Sequence, residues 1–448
     1  MQTLQNMIQK PLSVKQKTGL TAFFVYLAIL LAPNPQVFVI RISEGLHLTP
    51  MRYVLLIIGF ITTLNILNKK LNIIAIIQKC SLFLPLILLL TIKVTSLLYS
   101  SNYLGGMGAI AGFIEDILFA AVCYIYYVKG VIVPSKIILF IVAGFVLSIS
   151  VAVIQILNFA FNFNLLLPLI DYVNLYKHDA NLFKITGLSL GDVNVYATYV
   201  ATVLLIIIAV FIYSKKYLLG TAIVFFVGST VLFSIQSRSN VIIFVLILIY
   251  MIIRNIVIIK KQVFLLMIIL LFIMMTLPSN TVDEFFEKYS NRYYSLINYI
   301  VRVDYEQEEE NINAHRDMAL KYFDLIDREP IAVITGVGEG DYLNDEGLSE
   351  KRGTGAHNAY VLILGENGPI AFLLFIYITW LILKASIFVN RNSSIPMAKS
   401  LLYHNIAYLL SFVLYGSQFL QPIFWGIIGI TFAEKTRIEH NAINLRRT

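Results

Sequence analysis

The sequence predicts an all-α integral membrane protein of about twelve transmembrane helices, with a large extracytoplasmic loop between the ninth and tenth. Three observations carry this expectation. Of 448 residues, 58% are hydrophobic and 13% charged, with a mean hydropathy of +0.79; an ordinary soluble domain carries about 25% charged residues. The apolar residues come in runs close to the roughly 20 that a helix needs to cross a bilayer core. Lys and Arg gather in every second connection between those runs, the asymmetry that orients membrane helices with their positive connections in the cytoplasm.

The expected spans are 18–34, 50–67, 81–99, 106–128, 135–157, 193–213, 217–236, 240–258, 262–278, 359–388, 401–415 and 417–434. The leading "MQTLQNMIQKPLSVKQK" lacks the layout of a cleavable signal peptide, so the first run is expected to stay as a helix. Lys10, Lys15 and Lys17 precede it, Lys69 and Lys70 follow the second span, and Lys129 the fourth. Lys215 and Lys216, Lys260 and Lys261, then Arg391 and Lys399 follow the sixth, eighth and tenth, and Arg437, Arg446 and Arg447 close the chain. Both termini are therefore expected in the cytoplasm. The formal net charge of +8 is a topology signal, and no nucleic-acid partner is expected from it. Residues 1–278 carry nine helices, 279–358 the outer loop, 359–435 three more helices, and 436–448 a cytoplasmic tail. Cys80 and Cys123 lie in apolar runs and cannot build a disulfide framework or a cysteine metal site.

The outer loop holds most of the acidic residues, including "DYEQEEEN" from Asp304 to Asn311, which reads as a solvated face. No His/Cys cluster or calcium-loop pattern accompanies it, so no metal is expected. No ATP is available on that side. A synthetic reaction there needs a substrate that arrives activated, and a lipid-linked diphosphate meets that requirement.

Three residues on the outer side stand out. Arg238, in "SIQSRSN", lies in a turn of a few residues where the topology rule disfavours a cation, with Ser237, Ser239 and Asn240 beside it. Two readings stand: a guanidinium that binds a phosphate in bidentate fashion, or one that snorkels to the headgroups. Arg316 opens an expected amphipathic helix, "AHRDMALKYFDLIDREP", with Asn313 as N-cap and Pro330 as its end. Helical spacing puts Arg316 on the apolar stripe with Ala319, Leu320 and Phe323, where it binds an anion or pairs with a loop carboxylate. His357, in "GTGAHNAYVLILGENG", is a proton acceptor near neutral pH or a capping histidine. Glu366 lies nine residues on, about 180° and 13.5 Å away on a regular helix, so it does not orient His357 unless Gly365 and Gly368 break the helix; Tyr360 is the nearer polar neighbour. "TGVGEGDY", Thr335 to Tyr342, is a turn whose successive N–H groups can cradle an anion.

Together these features resemble the bacterial O-antigen ligase and O-antigen/capsule polysaccharide polymerase superfamily. The resemblance rests on "SRS" after a mid-chain helix, on Arg316 in the large outer loop, and on "TGVGEGDY" followed by "HNAYVLILGENGPIAF". It covers about Ser237 to Phe372, and the first six helices match in general layout only. It implies a GT-C-type membrane glycosyltransferase of the bacterial cytoplasmic (inner) membrane, metal-independent, without a cofactor, and with an extracytoplasmic site. The implied partners are an undecaprenyl-diphosphate-linked glycan donor and a glycan acceptor, either a lipid-linked repeat unit or lipid A core, amid membrane lipids. Arg238 and Arg316 are implied to hold the diphosphate and His357 to help activate the acceptor hydroxyl. Arg328, Arg352, Tyr342 and Tyr360 are further substrate-binding candidates. A polymerase is expected because such genes are numerous and variable; the alternative is a ligase that moves the finished chain to lipid A core.

A polysaccharide transporter or flippase is the competing class. Lys93 in the third span and the adjacent Glu115 and Asp116 in the fourth are intramembrane charges, which are functional candidates by default. If the two spans form a hairpin around Asn102, Lys93 lies at the depth of Gly112, and an ion pair with Glu115 or Asp116 is expected. That pair is either structural or part of a proton relay.

Overall fold

The computed structural model describes residues 19–33, 40–43, 46–68, 77–161, 185, 187, 193–214, 218–235, 237–255, 332–340, 358–414 and 421–447. The helices are α1 (Leu20–Leu31), α2 (Pro50–Leu67), α3 (Phe83–Ser96), α4 (Tyr103–Val128), α5 (Pro134–Phe161), α6 (Val193–Ser214), α7 (Leu218–Ser234) and α8 (Arg238–Arg254). After them come a single turn, α9 (Ala332–Thr335), then α10 (Ala359–Asn392), α11 (Pro396–Leu414) and α12 (Pro422–Arg447). A short 3-10 turn, Leu97–Tyr99, extends α3.

Among the described residues, five helices are long and apolar enough to cross a membrane: Pro50–Leu67, Tyr103–Val128, Pro134–Leu157, Asn194–Ser214 and Ala359–Asn392. Shorter apolar helices, among them Leu20–Leu31 and Phe83–Tyr99, lie beside them. This is an α-helical integral membrane protein. Only helices and closed barrels keep every backbone polar group bonded in hydrocarbon, and side chains such as Leu56, Phe60 and Leu67 of α2 face outward. Each expected span except 262–278, which lies outside the described residues, falls on a helix. Polar caps set several starts. Thr49 precedes Pro50 at the head of α2, where the missing N–H of proline costs nothing, and the Asn102 side chain accepts the Gly105 N–H at 3.2 Å to open α4.

Three features depart from the expectation. An antiparallel hairpin, β1 (Ile40–Ser43) with β2 (Leu46–Leu48), interrupts the all-α plan between α1 and α2. Helix α12 continues to Arg447, past the expected end at 434. The expected single span 359–388 is not one straight helix. Gly368 leaves the helical region (φ 79°, ψ 178°) and Pro369 follows it. The Tyr360 ring lies 5.2 Å from that of Phe375 and 6.5 Å from that of Phe372, whereas fifteen residues of straight helix span about 22 Å. Residues 359–367 therefore fold back against 369–392.

The core centres on α6, which is covered by α5, α7, α8 and α11. Helix α12 packs along α4. Near its C-terminal half the buried Glu434 accepts hydrogen bonds from Tyr127 Oη, Ser393 Oγ and an Arg437 guanidinium nitrogen, each at 2.8 Å, so α4, α12 and the segment joining α10 to α11 share one anchor.

Candidate functional site

The break in α10 creates a local need that another segment meets. Pro369 has no N–H, so the Gly365 carbonyl loses the partner a continuous helix would supply, and the turn at Gly368 carries the chain out of register with the Glu366 carbonyl. The segment after α9 fills both places: Val337 N–H donates to Gly365 O at 2.8 Å and Gly338 N–H to Glu366 O at 3.1 Å. This close approach explains two glycines. Gly336 (φ +76°) and Gly368 (φ +79°) both occupy the left-handed region. A Cβ on Gly336 would overlap the Glu366 carbonyl, and one on Gly368 would overlap that of Ile334.

The C-terminal end of α3 and the start of α4 hold the same segment from the other side. Tyr99 Oη donates to Thr335 O at 2.8 Å, Ser100 Oγ to Glu339 O at 2.8 Å, and Asn102 Nδ2 to Gly340 O at 3.1 Å. Beneath it lies a buried charge pair. Lys93 Nζ is 2.7 Å from Glu339 Oε2, with the two side chains 2% and 1% exposed. Asn367 donates through Nδ2 to Glu339 Oε2 and to Ser96 Oγ, both at 2.8 Å, while Lys93 Nζ donates to Asn367 Oδ1 at 3.4 Å. Burial of two ions is tolerated only with such supplementary hydrogen bonds.

This arrangement corrects two expectations. Lys93 pairs with Glu339, not with Glu115 or Asp116. Lys93 Nζ lies 6.0 Å from the Phe113 ring centroid on α4, while the docked segment brings Glu339 Oε2 within 2.7 Å of that nitrogen. Glu115 instead accepts from Arg52 Nε at 2.7 Å. Asp116 is fully buried, and neither of its oxygens has a hydrogen-bond partner among the described residues. The second correction concerns "TGVGEGDY": its Val337 and Gly338 N–H groups are committed to helix carbonyls instead of cradling an anion.

The other expected residues are placed as follows. Arg238 is the first residue of α8, and its side chain lies outside the described residues. Its neighbours tie α8 to the start of α6: Ser237 Oγ donates to Asn194 Oδ1 at 3.0 Å, Asn240 Nδ2 to Asn194 O at 3.1 Å and to Ser237 Oγ at 2.9 Å, and Thr198 Oγ1 to Asn240 Oδ1 at 2.7 Å. The hydrogen-bonding capacity beside Arg238 thus fixes its backbone. Tyr360 is half-buried against the second half of α10. Asn358 caps α10, accepting the N–H of Tyr360 at 2.9 Å and of Val361 at 3.2 Å, and residues 359–367 are helical, so the break comes after Glu366. Arg316, Arg328, Tyr342, Arg352 and His357 lie outside the described residues. Sequence reasoning missed Glu339, Asn367, Ser96, Tyr99 and Ser100. The one available signal was Lys93 itself, since a lysine inside a span demands a carboxylate. Among the described residues no cluster of three or more His, Cys, Asp or Glu side chains is grouped to hold a metal ion.

These features define a class: a helical integral membrane protein in which a polar, glycine-bearing segment docks into a broken helix at the head of α3 and α4. Residues 223–376, about a third of the chain, match the O-antigen ligase family. This supports the O-antigen ligase and polymerase superfamily, and the matched stretch contains Arg238, Arg316, the docked segment, His357 and the break in α10. No curated protein matches the chain.

Proposed function

We propose that the protein is a membrane glycosyltransferase that polymerises lipid-linked polysaccharide repeat units, O-antigen or capsule, on the outer side of the bacterial cytoplasmic membrane. The supporting observation is that the matched stretch, 223–376, runs through both polar junctions described above, the start of α8 and the clamp around the break in α10. In this reading twelve spans leave both termini in the cytoplasm, and residues 279–358 form the extracytoplasmic loop. The donor is a glycan on undecaprenyl diphosphate, and no metal or cofactor takes part.

The chemistry follows from the residue types. The acceptor hydroxyl oxygen attacks the anomeric carbon while its proton passes to the His357 imidazole. The bond from that carbon to the diphosphate oxygen breaks, its electron pair leaves with undecaprenyl diphosphate, and the configuration inverts. Arg238 and Arg316 stabilise the charge that grows on the leaving group, a contribution of about 10²–10³ in rate for a single preorganised donor. Arg328, Arg352, Tyr342 and Tyr360 contact the sugars. Asn358, adjacent to His357, holds that end of the loop at the head of the folded-back helix. The family's description favours a second reading, a ligase that delivers the chain to lipid A core.

The test is reconstitution with a defined undecaprenyl-diphosphate repeat unit and no lipopolysaccharide, with His357→Ala and Arg238→Ala run in parallel. A ladder of longer lipid-linked chains, lost in both variants, is the expected result. Transfer only after lipid A core is added makes the protein a ligase. A ladder that survives His357→Ala removes the base from the mechanism.

A further inference from the structure

The Lys93–Glu339 pair has more to do than hold the docked segment against α3. Glu339 is 246 residues from Lys93 in the chain and belongs to a segment of nine described residues, 332–340. That segment interrupts the stretch carrying the proposed site residues. Arg328 lies four residues before Ala332, within about 14 Å along the chain, and His357 is joined directly to Asn358, the cap of the helix whose carbonyls the segment completes. Both flanks of the loop are thus tethered to one clamp. Apolar side chains would dock the segment as firmly as an ion pair does. A buried pair that also engages Asn367, with Asn367 engaging Ser96, is satisfied in one register only, because a slip of one residue moves Glu339 away from Lys93 and Asn367 and breaks these bonds together.

We infer that Lys93 and Glu339 form a latch that fixes the register of residues 335–340 against the break in α10, making both of them positioning residues for glycosyl transfer. The inference rests on the function proposed above. The latch touches no substrate and acts through the backbone it holds. Asn367 belongs to it as the residue that joins the pair to Ser96 on α3, and Tyr99 and Ser100 steady the upper edge of the same segment.

The experiment measures, on the full chain in lipid nanodiscs, amide hydrogen exchange at Val337 and Gly338 together with kcat and donor KM. The proteins are wild type, Glu339→Gln, Lys93→Met, the double variant, and Tyr99→Phe. Each single change at the pair leaves a buried charge without its partner, so both amides are expected to exchange much faster, with kcat down about tenfold and KM within about twofold, the pattern of an interaction that matters only once the reacting groups are in place. The double variant buries no unmatched charge and is expected to recover both protection and turnover in part. Tyr99→Phe removes one hydrogen bond at an exposed edge, keeps the fold, and is expected to fall between wild type and the single variants on the same line. Protection that persists in Glu339→Gln overturns the latch. Turnover that stays constant while protection is lost overturns the positioning role. If the exchange data follow the expected order but wild type transfers no glycan, the latch stands and the proposed reaction fails.

Discussion

Gly336→Ala offers the sharpest test of how the site is built. Gly336 has φ +76°, and an L-residue in the left-handed region costs about 1–2 kcal/mol. The new methyl would also meet the Glu366 carbonyl, a backbone group that cannot rotate aside. The segment escapes the overlap only by lifting away, which strips the Gly365 and Glu366 carbonyls of their donors, Val337 and Gly338, at about 1–3 kcal/mol for each acceptor left buried. With two acceptors stripped, docking is weakened by about 2–6 kcal/mol, or roughly a 30- to 25,000-fold shift in the docking equilibrium. Gly59→Ala in α2 is the control: a Cβ there meets nothing within 4 Å, and a helical Gly→Ala change is expected to stabilise by about 0.5–1 kcal/mol. Limited proteolysis around residues 332–340 reads the local opening, and thermal unfolding in detergent reads the global effect. The expected result is faster cleavage and lost turnover for Gly336→Ala, with neither in Gly59→Ala. If the two variants resist protease equally and work equally well, the account of the broken helix and its inserted segment is wrong.

Two further outcomes follow from the same structure. Asn240→Ala removes the bonds to Asn194 and Thr198 that tie α8 to α6 and the bond to its own cap, Ser237, so stability is expected to fall by about 2 kcal/mol and donor KM to rise as Arg238 loses its fixed backbone; an unchanged KM would detach Arg238 from donor binding. Asp116→Asn, alone or with Glu115→Gln, is expected to keep glycosyl transfer, and the single Asp116→Asn change to keep the melting temperature equal or higher, because neither Asp116 oxygen has a hydrogen bond to lose among the described residues. Loss of transfer in a well-folded double variant would revive the transporter reading.

Much of this protein was legible in the order of its residues. Hydropathy is a local property, averaged over neighbours in the chain, so the apolar runs marked the helices from α1 to α8 and from α10 to α12 to within a few residues at most ends. The stretch from Ser237 to Phe372 could be read as a family resemblance because the glycines, the histidine and the proline that shape it are close together in sequence. The hairpin 40–48 escaped notice because its strands are four and three residues long, too short for any periodicity to show.

What only the tertiary structure decided is how these pieces meet. "GENGP" read as part of one long span until the rings of Tyr360 and Phe375 were found in contact. "TGVGEGDY" has the pattern of an anion cradle, yet its Val337 and Gly338 N–H groups sit on the carbonyls that Gly368 and Pro369 free. Lys93 announced the need for a carboxylate and had two nearby in sequence, yet it took Glu339. A buried charge or an orphaned carbonyl specifies the kind of partner it requires, and the chain's own residues state that need. Which partner arrives depends on depth, register and packing among segments hundreds of residues apart, and those are properties of the folded molecule.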